Sequence, residues 1–252
     1  MYPCYKSKTF RHQMIEPKRF LMRYCIGARG DFLCNLLCDR KSNINGTFYS
    51  LPPVNGRTVK VHSMKDGAVS TIDSFPEAIT NYDDMFRLAD EHNLIKIKII
   101  ATTEEERLDV AYFGWLKSLY YGIDRTRPHI TVDKRDIENH TEEIRKNTSY
   151  LVNTALYSTP KIQNEDRGYE DKYNYIVNFD DLFKMDYLNY IYEQVNKKPI
   201  PLSYIPRIKA NLAIQNRLSE SVNYPYFKEI LLRHHNIHEE HLAISNLIQQ
   251  LI

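Results

Sequence analysis

Residues 20–38 restrict the fold more than any other part of this chain. Phe20-Leu-Met-Arg-Tyr-Cys-Ile26 is an apolar, β-prone run, and the turn Gly27-Ala28-Arg29-Gly30 follows it. From Phe32 onward the apolar residues recur at helical spacing, through Leu33, Leu36 and Leu37. Strand, glycine turn, helix is the arrangement that aims backbone N–H groups and a helix N-terminus at an anion, most often a phosphate. It is not a Walker A loop, because no Gly-Lys-Ser/Thr follows. The same residues also read as a plain strand-to-helix turn.

Three further strands are legible. Arg57-Thr-Val-Lys-Val-His-Ser63 alternates and is β-branched, Leu94-Ile-Lys-Ile-Lys-Ile-Ile-Ala101 is the clearest strand in the chain, and Tyr173-Asn-Tyr-Ile-Val-Asn-Phe179 is the last. In the second of these, the alternation, then Ile99-Ile100, fits a parallel strand with Lys96 and Lys98 near the entry end. Helices are expected within 75–90 (face Met85, Leu88, Ala89), from Thr102-Thr103-Glu104-Glu105-Glu106 to about residue 121, and over roughly 187–196, 205–219 and 225–251. Thr followed by acidic residues is a helix start, with a hydroxyl cap and a negative first turn. Residues 64–75 read as irregular, 158–172 as polar loop, 137–150 as an exposed helix and 1–18 as a polar, basic arm. Strands alternating with helices predict an α/β fold, with a central, mostly parallel sheet, helices on both faces and a helical C-terminal region over 200–252. One domain accommodates all 252 residues. Ligands of such sheets bind at the carboxyl ends of the strands, where the turn at 27–31, the end of strand 58–62 and the start of helix 103–121 would meet.

A formal net charge of +2 predicts no strong uniform attraction to nucleic acid or to an anionic membrane, and no segment is long and apolar enough to span a bilayer. The four cysteines, Cys4, Cys25, Cys34 and Cys38, include no Cys-x-x-Cys pair, so reduced core thiols are expected and no metal site. No apolar signal segment opens the chain, which gives a cytoplasmic, reducing location as the default. The 19 tyrosines, with abundant Asn, Ile and Lys, are a composition common in AT-rich genomes, those of viruses and phages among them. His234, His238 and His241 share a helix face without the spacing of a zinc motif. Asp180 and Asp181 follow a strand end, where a helix cap or a Mg²⁺ ligand would sit.

Four segments in order resemble the sulfotransferase family, whose fold is a P-loop-type three-layer α/β fold. Gly27-Ala-Arg-Gly-Asp-Phe-Leu33 stands where the family has its Lys-Ser-Gly-Thr-Thr phosphosulfate loop. Val59-Lys60-Val61-His62 is similar to the family's Lys-Thr-His, whose histidine is the catalytic base. Lys98-Ile-Ile-Ala-Thr-Thr-Glu-Glu-Glu-Arg-Leu-Asp-Val-Ala-Tyr-Phe113 is similar to the segment that grips the cofactor's 3′-phosphate, and Ile176-Val-Asn-Phe-Asp-Asp-Leu182 to a structural Tyr-Glu-Asp-Leu segment. The resemblance implies sulfuryl transfer from 3′-phosphoadenosine 5′-phosphosulfate to a hydroxyl on a small molecule or glycan. It implies His62 as base, Lys60 and Arg29 as charge stabilisers, the backbone of Gly27, Ala28, Arg29, Gly30, Asp31 and Phe32 as the phosphosulfate cradle, and Arg107 as a 3′-phosphate ligand.

The chemistry asks for little beyond positioning and neutralised charge. Arg29 offers a rigid forked cation, and Lys60 and His62 share one strand face. Asp31 is adverse: a carboxylate 4 Å from a phosphate charge is repelled by about 4 kcal/mol at an effective dielectric of about 20. The first loop threonine of the family is Asp31 here, the second is Phe32, and the arginine of the third motif is displaced to Arg107. Two other readings follow: a catalytically inactive P-loop-fold protein acting through protein contacts, and a nucleotide-dependent kinase using the same turn. The bland alternatives are an ordinary strand histidine for His62, a solvated lysine for Lys60 and a surface pair with Glu104 for Arg107.

Overall fold

A computed structural model describes residues 20–41, 44, 58–62, 69–71, 79, 81–103, 105–111, 113–114 and 158–219. The expected arm over 1–18, the exposed helix at 137–150, the second tail helix and the histidine cluster at 234–241 lie outside the described residues.

A five-stranded sheet in the order β3-β2-β1-β4-β5 organises the described residues. Its strands are β1 (Phe20–Arg23), β2 (Thr58–Val61), β3 (Val69–Thr71), β4 (Ile95–Ile100) and β5 (Tyr175–Asn178). β1 lies parallel to both β2 and β4, with Arg23 opposite Val61 and Lys98, and β4 lies parallel to β5. This is the α/β architecture expected from the alternation. β3 is a correction: residues 64–75 were expected to be irregular, yet 69–71 add an antiparallel strand to β2. Three residues are too few to display an alternation, so only pairing reveals them.

A strand inside a parallel sheet is covered on both faces, and β1 is buried throughout. Phe20 and Met22 point into one core with Phe32, Leu33, Leu36 and Leu37 of α1 (Gly30–Leu37). That core also takes Leu188, Ile191, Tyr192 and Val195 of α5 (Met185–Asn196) and Ile208 of α6 (Ile205–Ser219). Leu21 points the other way, to Met85, Phe86, Leu88 and Ala89 of α2 (Tyr82–Glu91). Each side chain of this size taken fully out of water contributes roughly 1.5–3 kcal/mol. Helices therefore cover both faces, and the period-two alternation of one strand decides which residue serves which core.

Caps fix where the helices begin and end. Asn81 accepts the N–H of Asp84 at 2.8 Å and starts α2. Asp39, left-handed at φ 57°, follows α1; its carboxylate takes Tyr192 Oη and Lys198 Nζ, and its carbonyl accepts Tyr204 Oη at 2.9 Å. α3 is helical at 105–111 and 113–114. Its first turn is a reciprocal capping box: Thr103 Oγ1 accepts Glu106 N–H at 3.1 Å, and Glu106 Oε2 accepts Thr103 N–H at 2.8 Å.

Residues 158–172, expected as polar loop, hold α4 (Thr159–Asn164) and a 3₁₀ turn at Glu170–Lys172. Asp166 between them is fully buried. Lys98 is buried too, and Asp166 meets it at 2.6 Å. The helix expected over 187–196 starts two residues earlier, at Met185. Asp180 and Asp181 sit in a 3₁₀ turn, Phe179–Phe183, and Asp181 accepts Lys184 Nζ at 2.8 Å instead of capping a helix. Among the described residues no group of His, Cys, Asp and Glu could hold a metal ion, and no helix is long and apolar enough to cross a membrane.

Candidate functional site

The chain order leaves β1 in two directions, toward β2 on one side and β4 on the other. This is the switch point at whose carboxyl edge open α/β sheets bind ligands. The turn after β1 needs glycine at its first position. Gly27 has φ +96°, and a Cβ there would lie 2.1 Å from the carbonyl oxygen of Val110 in α3. The turn and α3 thus meet backbone to backbone. Arg29 is left-handed at φ 59° and leads into α1 at Gly30.

Above Gly30 lies the ring of Tyr24: a Cβ at Gly30 would come within 2.4 Å of it. Tyr24 Oη donates to Asp31 Oδ1 at 2.9 Å, and Lys60 Nζ donates to the same oxygen. His62 Nδ1 donates to the Tyr24 carbonyl at 2.8 Å, and its ring stands edge-on to Tyr24 at 4.6 Å. The neutral ring thus carries its proton on Nδ1, with Nε2 as the basic nitrogen. Lys60, His62, Gly30 and Asp31 are therefore brought together, as the sequence expects, around a tyrosine that sequence reasoning did not single out. The buried Lys60–Asp31 pair rules out the alternative reading of Lys60 as a solvated strand lysine.

Arg29 does not join this group. Its guanidinium is stacked between Phe32 at 4.2 Å and Phe183 at 4.5 Å, and Nη2 donates to Asn211 Oδ1 at 2.7 Å. Burial lowers its pKa to about 9, which leaves it charged at neutral pH. Ala28 and Phe32 are core residues.

The second anion position of the resemblance, the start of α3, also holds a carboxylate of the chain. Glu106 Oε2 accepts Thr102 Oγ1 at 2.8 Å, the N–H of Thr102 and the N–H of Thr103. Burial pushes the Glu106 carboxyl up, but these hydrogen bonds outweigh it and the net shift is downward. Arg107, expected beside Glu104 or on a phosphate, donates from Nη1 to the Thr102 carbonyl at 3.1 Å. A lowered folded-state pKa contributes stability above the unfolded carboxyl pKa and loses it as pH falls through the folded value. Thr103→Ala should cost about 1 kcal/mol at neutral pH. Glu106→Gln should differ from the parent at pH 7 and converge with it under acid, as read from urea midpoints across a pH series.

A third cluster lies on the α2 side of the sheet. Arg23 is 2% exposed and Asp166 is 0% exposed, so both charges depend on protein partners. Arg23 donates to the His62 carbonyl, to Tyr82 Oη at 3.0 Å and to the Ile162 carbonyl at 2.5 Å. Glu165 Oε2 lies 3.4 Å from Arg23 Nη2 and accepts Tyr82 Oη at 3.0 Å. Asp166 takes Lys98 Nζ and Tyr173 Oη. Desolvation, with Asp166 beside it, pushes the Tyr173 phenol strongly upward. Sequence reasoning missed this cluster. The one available signal was a lysine inside the most apolar strand, which asks for a buried acid without saying which.

Cys25, Cys34 and Cys38 are buried thiols outside any disulfide, as expected. Burial pushes the Cys25 thiol up to about 12, so it is no nucleophile at neutral pH. No family model, no curated protein and no solved structure matches this chain.

Proposed function

We propose that the chain is a sulfotransferase-like α/β protein of the P-loop type whose phosphate-receiving positions are filled by its own side chains, and that it acts through contacts with other proteins. The observation that carries this reading is the Tyr24 ring over Gly30, tied to an Asp31 carboxylate that also holds Lys60. Most of the donors that a phosphosulfate would need are held internally: Lys60 on Asp31 and the first turn of α3 on Glu106. Arg29 is stacked between two phenyl rings with Nη2 on Asn211 and with Nε and Nη1 buried without an acceptor. Displacing Asp31 from Lys60 would leave a buried charge without its partner, which costs about 3–5 kcal/mol. A phosphosulfate would have to supply that before it gained any affinity.

Titration calorimetry with 3′-phosphoadenosine 5′-phosphate tests the proposal, and no binding heat at millimolar nucleotide is the expected result. A saturable one-to-one isotherm would overturn it and return sulfuryl transfer to a hydroxyl acceptor as the leading reading. One observation favours that second reading: His62 holds its Nδ1 proton on Tyr24, which makes Nε2 the base a transferase would use. In that case His62→Ala would remove most turnover and leave nucleotide affinity nearly unchanged.

A further inference from the structure

Residues 158–168 form a strap over the carboxyl ends of β1 and β4, at the switch point of the sheet. Cys25 Sγ lies 4.0 Å from the Thr159 carbonyl. The Gln163 side-chain amide faces the backbone of Ala101 just beyond β4, and the orientation that satisfies both groups donates to the Ala101 carbonyl at 3.0 Å and accepts its N–H at 2.8 Å. Lys98 Nζ donates to the Gln163 carbonyl at 3.0 Å. Of the strap residues only Thr159 and Asp166 are buried, and Ile162 is half-buried. Ile162 packs against the core, and the rest of the strap is held by polar contacts, the buried Asp166–Lys98 pair among them.

We infer that the position now held by Glu165 and Asp166 is a binding site for a divalent tetrahedral oxyanion, phosphate or sulfate, with the strap as its displaceable occupant. Two cations, Arg23 and Lys98, and two phenols, Tyr82 and Tyr173, converge there on two carboxylates, so a dianion matches the charge that it replaces. The carboxylates fit imperfectly. Arg23 Nη2 is 3.4 Å from Glu165, where a charge-assisted bond is usually about 2.7–2.9 Å long. Arg23 Nε is buried, lies 3.9 Å from Asp166 Oδ2 and has no hydrogen-bond acceptor. An oxyanion with four oxygens presents acceptors in directions that two separate carboxylates leave uncovered. The site lies on the α2 face of the sheet and is joined to the first cluster through the bond from Arg23 to the His62 carbonyl, but it does not depend on the function proposed above.

The test is a charge-removing, nearly isosteric double variant, Glu165→Gln with Asp166→Asn, melted in sodium phosphate, sodium sulfate, O-phosphoserine or sodium chloride at matched ionic strength. Near 100 times Kd, phosphate or sulfate should raise the midpoint of the variant by about 5 °C or more over chloride, and that of the parent by less, because there the anion must first displace Glu165 and Asp166. O-Phosphoserine acting as well as phosphate supports a site open to an esterified group; phosphate and sulfate acting alone support one for the free ion. Adding Lys98→Met should abolish the rise. Should the double variant not fold, Glu165→Gln alone keeps Asp166 on Lys98. It should show a smaller phosphate-specific rise together with faster amide exchange over 158–168. A folded variant that responds to phosphate no more than the parent does overturns the inference, since exclusion of such salts from protein surfaces stabilises both alike.

Discussion

Asp166→Ala is expected to lower stability by about 3–5 kcal/mol, because it leaves two buried cations facing one remaining carboxylate. Lys98 Nζ loses its 2.6 Å partner, the Tyr173 hydroxyl loses its acceptor, and Glu165, 3.4 Å from Arg23, is left as the one carboxylate beside the two cations. At about 2–4 °C per kcal/mol for a chain of this size, the thermal midpoint should fall by roughly 6–20 °C. Lys198→Ala is the control. Its ion pair with Asp39 is half exposed, and such pairs contribute about 1 kcal/mol or less. Equal midpoints for Asp166→Ala and Lys198→Ala would show that the buried network does not hold the strap to the sheet.

Gly27→Ala is the second large effect. A left-handed backbone costs a residue with a Cβ about 1–2 kcal/mol, and forcing an atom into a packed contact adds typically 1–3 kcal/mol. The atoms in the way are the Val110 carbonyl oxygen at 2.1 Å and the Gly114 nitrogen at 2.5 Å, neither of which can rotate aside. The expected loss is about 2–5 kcal/mol by chemical denaturation. Gly168 separates the two contributions: its φ is +94°, yet nothing lies within 4 Å of a Cβ there. Gly168→Ala should therefore show the backbone cost alone, about 1–2 kcal/mol. If the two substitutions cost the same, α3 does not press on the turn.

The four parallel strands were legible because each is a short apolar or alternating β-branched run, and the start of α3 because threonine followed by an acidic first turn marks a helix start; the reciprocal bond from Glu106 is visible only in the fold. β3 and α4 were not. One is too short for a period, and the other sets only Ile162 against the apolar core, its further contacts being with Arg23 and Lys98 of the strands. At the candidate site the sequence identified Asp31 as the obstacle, since a carboxylate at a helix N-terminus competes with an anion. It did not identify the residue that closes the position. Tyr24 reads as one more aromatic at the end of a strand, and only the fold shows its ring standing over a glycine six residues later. Pairings such as Lys60 with Asp31 and Lys98 with Asp166 join residues 29 and 68 positions apart, beyond the reach of any local pattern.

The wide separation of sheet neighbours has a consequence for how the protein is made. Ile97 of β4 pairs with Tyr175 of β5, 78 residues further along. At synthesis rates of about 5–20 residues per second, β4 is complete roughly 4–16 s before its outer neighbour leaves the ribosome. Throughout that interval an apolar strand with unsatisfied peptide groups faces the crowded cell, the condition under which nascent chains are captured by chaperones or by one another.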